Sequence, residues 1–151
     1  MRNPKSSTSF RKQAFAAIFV ALLSTPLLAV EINDNAKFNA SSPPQSAIPW
    51  MSGGIGDDAR DEMRKATMSY NVHIVFSNRQ GSYLASIPFA IARSNGRKII
   101  EGVSPGPLLY IQLKPGVYQV SAEIDGAWQS KKVQIDSAGS QVRTMFVSKG
   151  E

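Results

Sequence analysis

The chain has 151 residues, no cysteine, a single histidine and a formal net charge of +6. The absence of cysteine excludes disulfide bonds, thiolate metal ligands and cysteine nucleophiles. The charge by itself points to a nucleic acid or an anionic membrane as a partner, but it is unevenly distributed along the chain.

Residues 1–29 have the three parts of an export signal. Four basic residues and no acidic one lie in this segment, which contains an apolar run over residues 14–23. We expect cleavage between Ala29 and Val30, and therefore an exported protein that is periplasmic or alternatively secreted. Only an uncleaved signal would attach the protein to a membrane, and residues 14–30 are short for the roughly 20 apolar residues that span a bilayer.

Beyond the signal the charge is ordinary. The remaining chain carries 13 basic and 11 acidic residues, a net charge of +2, and no run of basic residues is longer than two. Nucleic-acid binding is therefore not predicted. A basic face would form only if the fold brought together the basic residues of the later turns and strands, namely Arg93, Arg97, Lys98, Lys131 and Lys132.

Residues 30–56 are predicted to form a flexible tether. They are rich in Asn, Ser and Pro and show no sustained hydrophobic period. Trp50 stands in a short apolar cluster before several glycines, where it either docks onto its own domain or contacts a partner. The glycine-rich residues 53–56 lack the Gly-Lys-Ser/Thr ending of a phosphate-binding loop, so we expect a hinge there.

Residues 57–68 are predicted to form a short helix. Acidic residues crowd its start and basic residues follow, as the helix dipole favours. Its apolar stripe is thin, so the helix either lies on the following domain or serves as a contact element. The candidate contacts to a protein partner are Trp50, Ile55 and Met63.

Residues 69–151 are predicted to form a β-sandwich. The strongest evidence is residues 117–124, where apolar and polar side chains alternate between a Pro-Gly turn and an Asp-Gly turn. The fold class is all-β, a seven-stranded Ig-like or prealbumin-like sandwich with one short N-terminal helix. The seven predicted strands cover residues 70–77, 87–92, 98–103, 108–113, 117–124, 127–135 and 141–148.

A Leu-x-Pro-Gly-x-Tyr-x-Val motif is formed by Leu113, Pro115, Gly116, Tyr118 and Val120. Together with the strands that follow, it resembles the carboxypeptidase regulatory-like domain, which has a prealbumin-like (transthyretin-like) sandwich. The resemblance covers roughly residues 70–149 and implies an accessory or binding module without a cofactor. The tyrosine of the motif is expected to bond its hydroxyl back to the turn, as in a tyrosine corner.

The sequence shows none of the residue patterns by which common catalytic sites are recognised. His73 is the single histidine and is predicted to face outward from the first strand, without a second ligand or base at a recognisable spacing. No Gly-x-Ser-x-Gly motif is present, and the carboxylates of the sandwich are scattered. One histidine also does not match the cluster of His and Arg in the transthyretin-like hydroxyisourate hydrolases. We therefore expect no enzyme, no metal and no cofactor.

These observations predict a non-catalytic binding or adaptor module of the cell envelope that contacts a protein partner. The alternative is a module that binds carbohydrate or cell wall through exposed aromatic side chains, with Trp128 and Tyr83 as candidates; Trp128 could instead belong to the core. Trp128 and Tyr83 side by side on one exposed face would favour sugar. An exposed apolar patch would favour a protein partner; its residues would be Ile48, Trp50, Ile55 and Met63.

Overall fold

The computed structural model of the protein describes residues 39–42, 47–137 and 139–150. In these residues the chain is an all-β sandwich of two sheets with one short α-helix, which confirms the predicted fold class. The predicted signal segment, its cleavage position at Ala29 and Val30, and residues 31–38 and 43–46 of the predicted tether lie outside the described residues.

The described part of the chain contains nine strands, two more than predicted. Helix α1 is Asp57–Ala66, and a single 3₁₀ turn, Thr67–Ser69, follows it. In chain order the strands are β1 (Ala40–Ser41), β2 (Trp50–Gly53), β3 (Val72–Asn78), β4 (Ile87–Arg93), β5 (Lys98–Ser104), β6 (Leu108–Ile111), β7 (Gly116–Ile124), β8 (Ala127–Ile135) and β9 (Val142–Ser148).

The two additional strands, β1 and β2, come from the predicted tether. Strand β2 pairs antiparallel with β6, so that Trp50 lies opposite Ile111, and β1 pairs with β2. The tether prediction is therefore wrong for these residues. A four-residue strand is too short to establish a period of two, and its neighbours are the Pro, Ser and Gly that usually indicate loops.

The nine strands form two sheets. The five-stranded sheet has the order β1-β2-β6-β3-β9, and the four-stranded sheet has the order β5-β4-β7-β8. Strands β3 and β9 are parallel, with Val72 opposite Val142 and Asn78 opposite Ser148, whereas the other named pairs are antiparallel.

The core lies between the two sheets and follows the predicted alternation. From β3 the residues Val72, Ile74 and Phe76 are fully buried, and the phenyl rings of Phe76 and Phe146 have their centroids 6.0 Å apart. Alternate side chains of a strand point to opposite faces of its sheet, so each strand contributes every second residue to this core. From β7 the buried residues are Tyr118, Val120, Ala122 and Ile124.

Two features of the central motif match the expectations from its sequence. The hydroxyl of Tyr118 donates to the carbonyl oxygen of Lys114 at 2.9 Å, as expected for a tyrosine corner. Asp125 and Gly126 have φ angles of 56° and 71°. Positive φ at both central residues is what a type I′ hairpin turn requires, and it explains the Asp-Gly pair.

Asn71 joins the start of β3 to the end of β6. Its side-chain amide donates to the carbonyl oxygen of Leu113 at 2.7 Å, and its side-chain oxygen accepts from the Leu113 amide at 2.9 Å. The amide of Val142 donates to the Asn71 carbonyl at 2.8 Å, which also brings in the start of β9. Asn71 is buried, so these hydrogen bonds satisfy groups that water does not reach.

Candidate functional site

Helix α1 packs on the outer face of the five-stranded sheet, the face that points away from the core. Its Met63 is fully buried and forms a small cluster with Met51 of β2 and Tyr110 of β6. The thin apolar stripe of the predicted helix is therefore sufficient for docking, because it meets apolar side chains that the sheet presents at the same place.

Asn39 attaches the beginning of this helix to the chain that precedes it. Its side-chain oxygen accepts from the amide of Gly54 at 2.8 Å. Its side-chain nitrogen donates to the carbonyl oxygen of Ala59 at 3.0 Å and to the carboxylate of Glu62 at 2.9 Å. Packing and hydrogen bonds together hold α1 in a defined position.

The three residues predicted to contact a protein partner do not form one patch. Trp50 is half-buried against the core between the sheets, and its ring meets that of Phe89 edge-on, with the ring centroids 5.8 Å apart. Met63 is buried on the opposite face of the same sheet. Only Ile55 is exposed. The structure therefore assigns packing roles to Trp50 and Met63.

Four exposed large hydrophobic side chains lie on the side of the five-stranded sheet that carries α1, and we call them together the α1 face: Ile55, Met68, Tyr83 and Met145. Ile55 lies just before the helix, and Met68, 84% exposed, lies in the 3₁₀ turn after it. The guanidinium of Arg60 on the helix lies 5.8 Å from the centre of the Tyr83 ring. Met145 lies in β9 opposite Val75 of β3.

Met68 and Met145 were missed by the sequence reasoning. Met145 could have been found, because the neighbouring Phe146 is a core residue and alternation then turns Met145 away from the core. Met68 carries no such signal, because it falls where the helix tightens into a 3₁₀ turn and the helical period ends.

The two candidate aromatic residues for sugar binding lie at different sheets, Trp128 within β8 and Tyr83 in the loop after β3. Val133 and Ile135 of β8 face the core, so alternation places Trp128 on the outer face of the four-stranded sheet, where it is 55% exposed. Tyr83 forms a bridge with Ser77 of β3 in the five-stranded sheet. Both rings are exposed, but they do not form one platform.

His73 faces outward from the core, as predicted, but it is buried beneath the 3₁₀ turn. Its Nε2 lies 3.1 Å from the carbonyl oxygen of Thr67 and 3.0 Å from that of Tyr70. Carbonyl oxygens only accept hydrogen bonds, so Nε2 carries the proton and donates. The imidazole also packs on the ring of Tyr110, with centroids 4.5 Å apart. His73 thus fastens the turn to the sheet.

Among the residues that the structure describes, two ionisable side chains have shifted pKa values, and each shift has a structural cause. Burial raises the pKa of the Tyr70 phenol above its ordinary value of 10.0. The pKa of Asp125 is lowered below 3.8, first by the hydrogen bond from the Ser148 hydroxyl and then by that from the Lys149 amide. Both causes are structural contacts within this domain.

In the described residues, no group of three or more His, Asp or Glu side chains is arranged to hold a metal ion. No helix among them has the length and apolar character needed to cross a membrane.

Comparison of the chain with protein-family models and with curated proteins finds no match in either case.

Proposed function

We propose that this protein is a non-catalytic, exported binding module of the cell envelope, and that it contacts a protein partner through the α1 face. The observation that carries the proposal is the distribution of exposed apolar side chains. Of the six large hydrophobic side chains that are exposed in the described residues, four lie on the side of the five-stranded sheet that carries α1. Exposed apolar side chains gathered on one side of a small domain are typical of interaction surfaces.

The chemistry of the α1 face also suits a protein partner. Two of its four residues are methionines, Met68 and Met145, and flexible thioether side chains adapt well to a partner's surface. The helix adds exposed charges of both signs, including the surface ion pairs Arg60–Asp57 and Arg64–Asp61. Such pairs contribute little to folding, so they can be rearranged in a complex at small cost.

Because α1 is already held against the sheet, little conformational entropy needs to be lost when a partner binds to it. Met63 and the Asn39 hydrogen bonds already hold the helix against the sheet. A contact surface that is ordered before binding loses less conformational entropy when the complex forms.

The non-catalytic part of the proposal rests on His73. Its ring donates to two backbone carbonyls and is buried, so it is occupied in holding the 3₁₀ turn. Export, the envelope location and membership of the carboxypeptidase regulatory-like family stay predictions from the sequence.

A site-specific crosslink tests the α1 face. A photo-reactive amino acid replaces Met68 in one variant and Val103, an exposed residue of β5, in the matched control, and both are expressed in full-length form. We expect one crosslinked protein of defined size from position 68 and none from position 103. Crosslinking of the same proteins from both positions, or of none from either, would contradict the proposed contact. Deleting α1 is unsuitable, because Met63 belongs to the folded structure.

A carbohydrate-binding function is the second candidate, and the exposure of Trp128 favours it. Trp128 lies on the outer face of the four-stranded sheet, where the hydroxyls of Ser121 and Ser130 are 2.8 Å apart. An indole ring beside hydroxyl groups can stack on a sugar and bond to it. Binding of isolated wall polysaccharide that is lost in Trp128→Ala, and kept in Tyr83→Ala, would favour this function.

A further inference from the structure

One end of the sandwich carries a cavity surrounded by cations. Its volume is about 420 Å³, within the roughly 300–1,000 Å³ of ordinary small-molecule sites. Four basic side chains line it and define what we call the basic cavity: Arg93, Arg97, Lys98 and Lys114. Three of these are among the five residues that the sequence suggested as a basic face. The fourth, Lys114, comes from the Pro-Gly turn.

The other two residues of the suggested basic face do not line this cavity. Lys131 extends toward β9, where its ammonium donates to the carbonyl oxygen of Met145 at 2.5 Å and lies 5.4 Å from the centre of the Phe146 ring. Both Lys131 and Lys132 line a neighbouring groove of about 500 Å³. The basic cavity is therefore built from the β4–β5 hairpin and the β6–β7 turn.

Negative charge around the basic cavity is sparse. None of the described residues that line it is acidic. Lys98 pairs with Glu101 at 2.6 Å, and this is an exposed pair. Asp136 follows β8 at the same end, but its carboxylate accepts from the side-chain amide of Gln134. Like charges held together repel one another, so an anion in the cavity would relieve that repulsion.

The backbone that carries these cations is held in place. In the β4–β5 hairpin, the amide of Gly96 donates to the Arg93 carbonyl at 2.8 Å, and the Arg97 amide donates to the Asn95 side chain at 3.0 Å. The amide of Ser94 donates to the carbonyl of Val117 at 3.2 Å, which attaches the hairpin to β7. The arginines and lysines thus extend from fixed points toward one space.

The β6–β7 turn and the residues before β2 form the rest of the cavity wall. The hydroxyl of Tyr118 holds the carbonyl of Lys114, and the Gln112 amide donates to the carbonyl of Pro49 at 2.9 Å. Apolar side chains also line the cavity, namely Ile48, Ile99 and Leu113. The site therefore offers cations together with an apolar wall.

From this arrangement we infer that the basic cavity binds a phosphate group attached to an apolar or ring-bearing moiety. Arginine forms paired hydrogen bonds with phosphate oxygens, and lysine adds point charge. A phosphate monoester carries close to two negative charges at neutral pH, which suits several uncompensated cations better than a single carboxylate does. The source of the phosphate is either a lipid headgroup or a soluble phosphomonoester.

The test compares a double variant with a control of equal charge. Arg97→Gln with Lys114→Gln removes two cations of the cavity. Arg79→Gln with Lys149→Gln removes two exposed cations elsewhere: Arg79 follows β3 and Lys149 follows β9, and the final residues of these strands pair with each other away from the cavity. Both variants and the wild type are full-length, and their folding is compared by thermal denaturation.

The soluble arm titrates inorganic phosphate and glycerol phosphate while the backbone amide resonances of residues 94–98, 112–114 and 116–118 are followed by NMR. We expect saturable shifts confined to these residues in the wild type and in the control, with binding about tenfold weaker in the cavity variant. Shifts that are absent, spread over the whole surface, or equally weakened in the control would overturn the inference.

A vesicle-binding experiment distinguishes the two sources of the phosphate group. The same proteins are mixed with phosphatidylcholine vesicles that contain or lack phosphatidylglycerol. Binding that needs phosphatidylglycerol and is lost only in the cavity variant supports a lipid headgroup. Shifts with soluble phosphates without vesicle binding support a soluble phosphomonoester. Vesicle binding that is equal in all three proteins, without cavity shifts in the soluble arm, overturns the inference. The α1 face takes no part in these measurements, so they are independent of the proposed protein partner.

Discussion

At one end of the sandwich a carboxylate is occupied by hydrogen-bond donors, whereas at the other end four cations surround an open cavity. Asp125 accepts from the Ser148 hydroxyl at 2.6 Å and from the amides of Lys149 and Gly150 at 2.8 and 3.2 Å. This clasp joins the β7–β8 turn of one sheet to the end of β9 in the other. The charged carboxylate of Asp125 therefore helps to hold the two sheets together.

The end of the sandwich that carries the basic cavity is held together by different interactions. The hydrogen bonds that close this end come from uncharged side chains, chiefly Asn71 to Leu113 and Tyr118 to Lys114. The four cations themselves stay exposed to solvent. In this protein the carboxylate that joins the two sheets is saturated by hydrogen-bond donors. Of the four cations that line the cavity, Lys98 pairs with Glu101, and the other three form no ion pair within the described residues.

Removing the Asn71 hydrogen bonds at the cavity end should have the largest effect on stability. Asn71→Ala leaves the amide and carbonyl of Leu113 without their partner in a buried position, so we expect the free energy of unfolding to fall by about 2–3 kcal/mol. Equilibrium urea unfolding measures this. A loss below about 0.5 kcal/mol would show that water replaces the side chain there.

The tyrosine corner should contribute less. Tyr118→Phe keeps the ring in the core and removes one hydrogen bond, so a loss of about 1 kcal/mol is expected in the same unfolding experiment. Tyr83→Phe provides the control, because Tyr83 is exposed. Equal stability changes in the two variants would mean that the Tyr118 hydroxyl does not hold the turn.

Acid should weaken the opposite end selectively. The pKa of Asp125 is below its ordinary 3.8, so its contribution is complete above pH 3.8 and is lost as the pH falls through the lowered pKa. Asp125→Asn tolerates the positive φ but carries no charge. The melting temperature of the wild type should therefore exceed that of Asp125→Asn at neutral pH, and the difference should shrink in acid.

A control carboxylate sharpens this measurement. Asp58→Asn changes an exposed aspartate at the start of α1, where no comparable set of three donors is present among the described contacts. A difference for Asp125→Asn that stays constant from neutral pH down to strong acid would contradict a role for the charge in the clasp.

The smallest effect on stability is expected at the basic cavity itself. Arg97→Gln with Lys114→Gln removes two exposed cations from a like-charged group, so the free energy of unfolding should stay within about 0.5 kcal/mol of the wild type or rise slightly. Thermal and urea denaturation check this. A large loss would place these cations among the groups that hold the fold, and the contrast between the two ends would disappear.

Prediction from sequence succeeded where a residue's role depends on its nearest neighbours in the chain. The β7 alternation, the Asp-Gly turn and the bond from Tyr118 to Lys114 are all local, and the structure confirms each. Trp50 and Met63 show where such reasoning fails. Their exposure depends on Phe89 and Tyr110, which lie far away in the sequence.

The sequence did not predict the short strand β2, for a related reason. Its four residues form a strand because β6 supplies partners on one side and β1 on the other. Neither partner can be identified from the composition of residues 30–56, which resembles that of a linker.

The sequence by itself determined the all-β class, the turns and the alternating core, because period-two alternation and turn residues act over a few neighbouring positions. Only the tertiary structure decided which surfaces are exposed and which charges meet. The basic cavity joins residues 93–98 to residues 112–114, and the α1 face has Met68 and Met145, from distant parts of the chain, on the same side of one sheet. Such groupings depend on strand order and sheet packing, for which a single sequence carries no local signal.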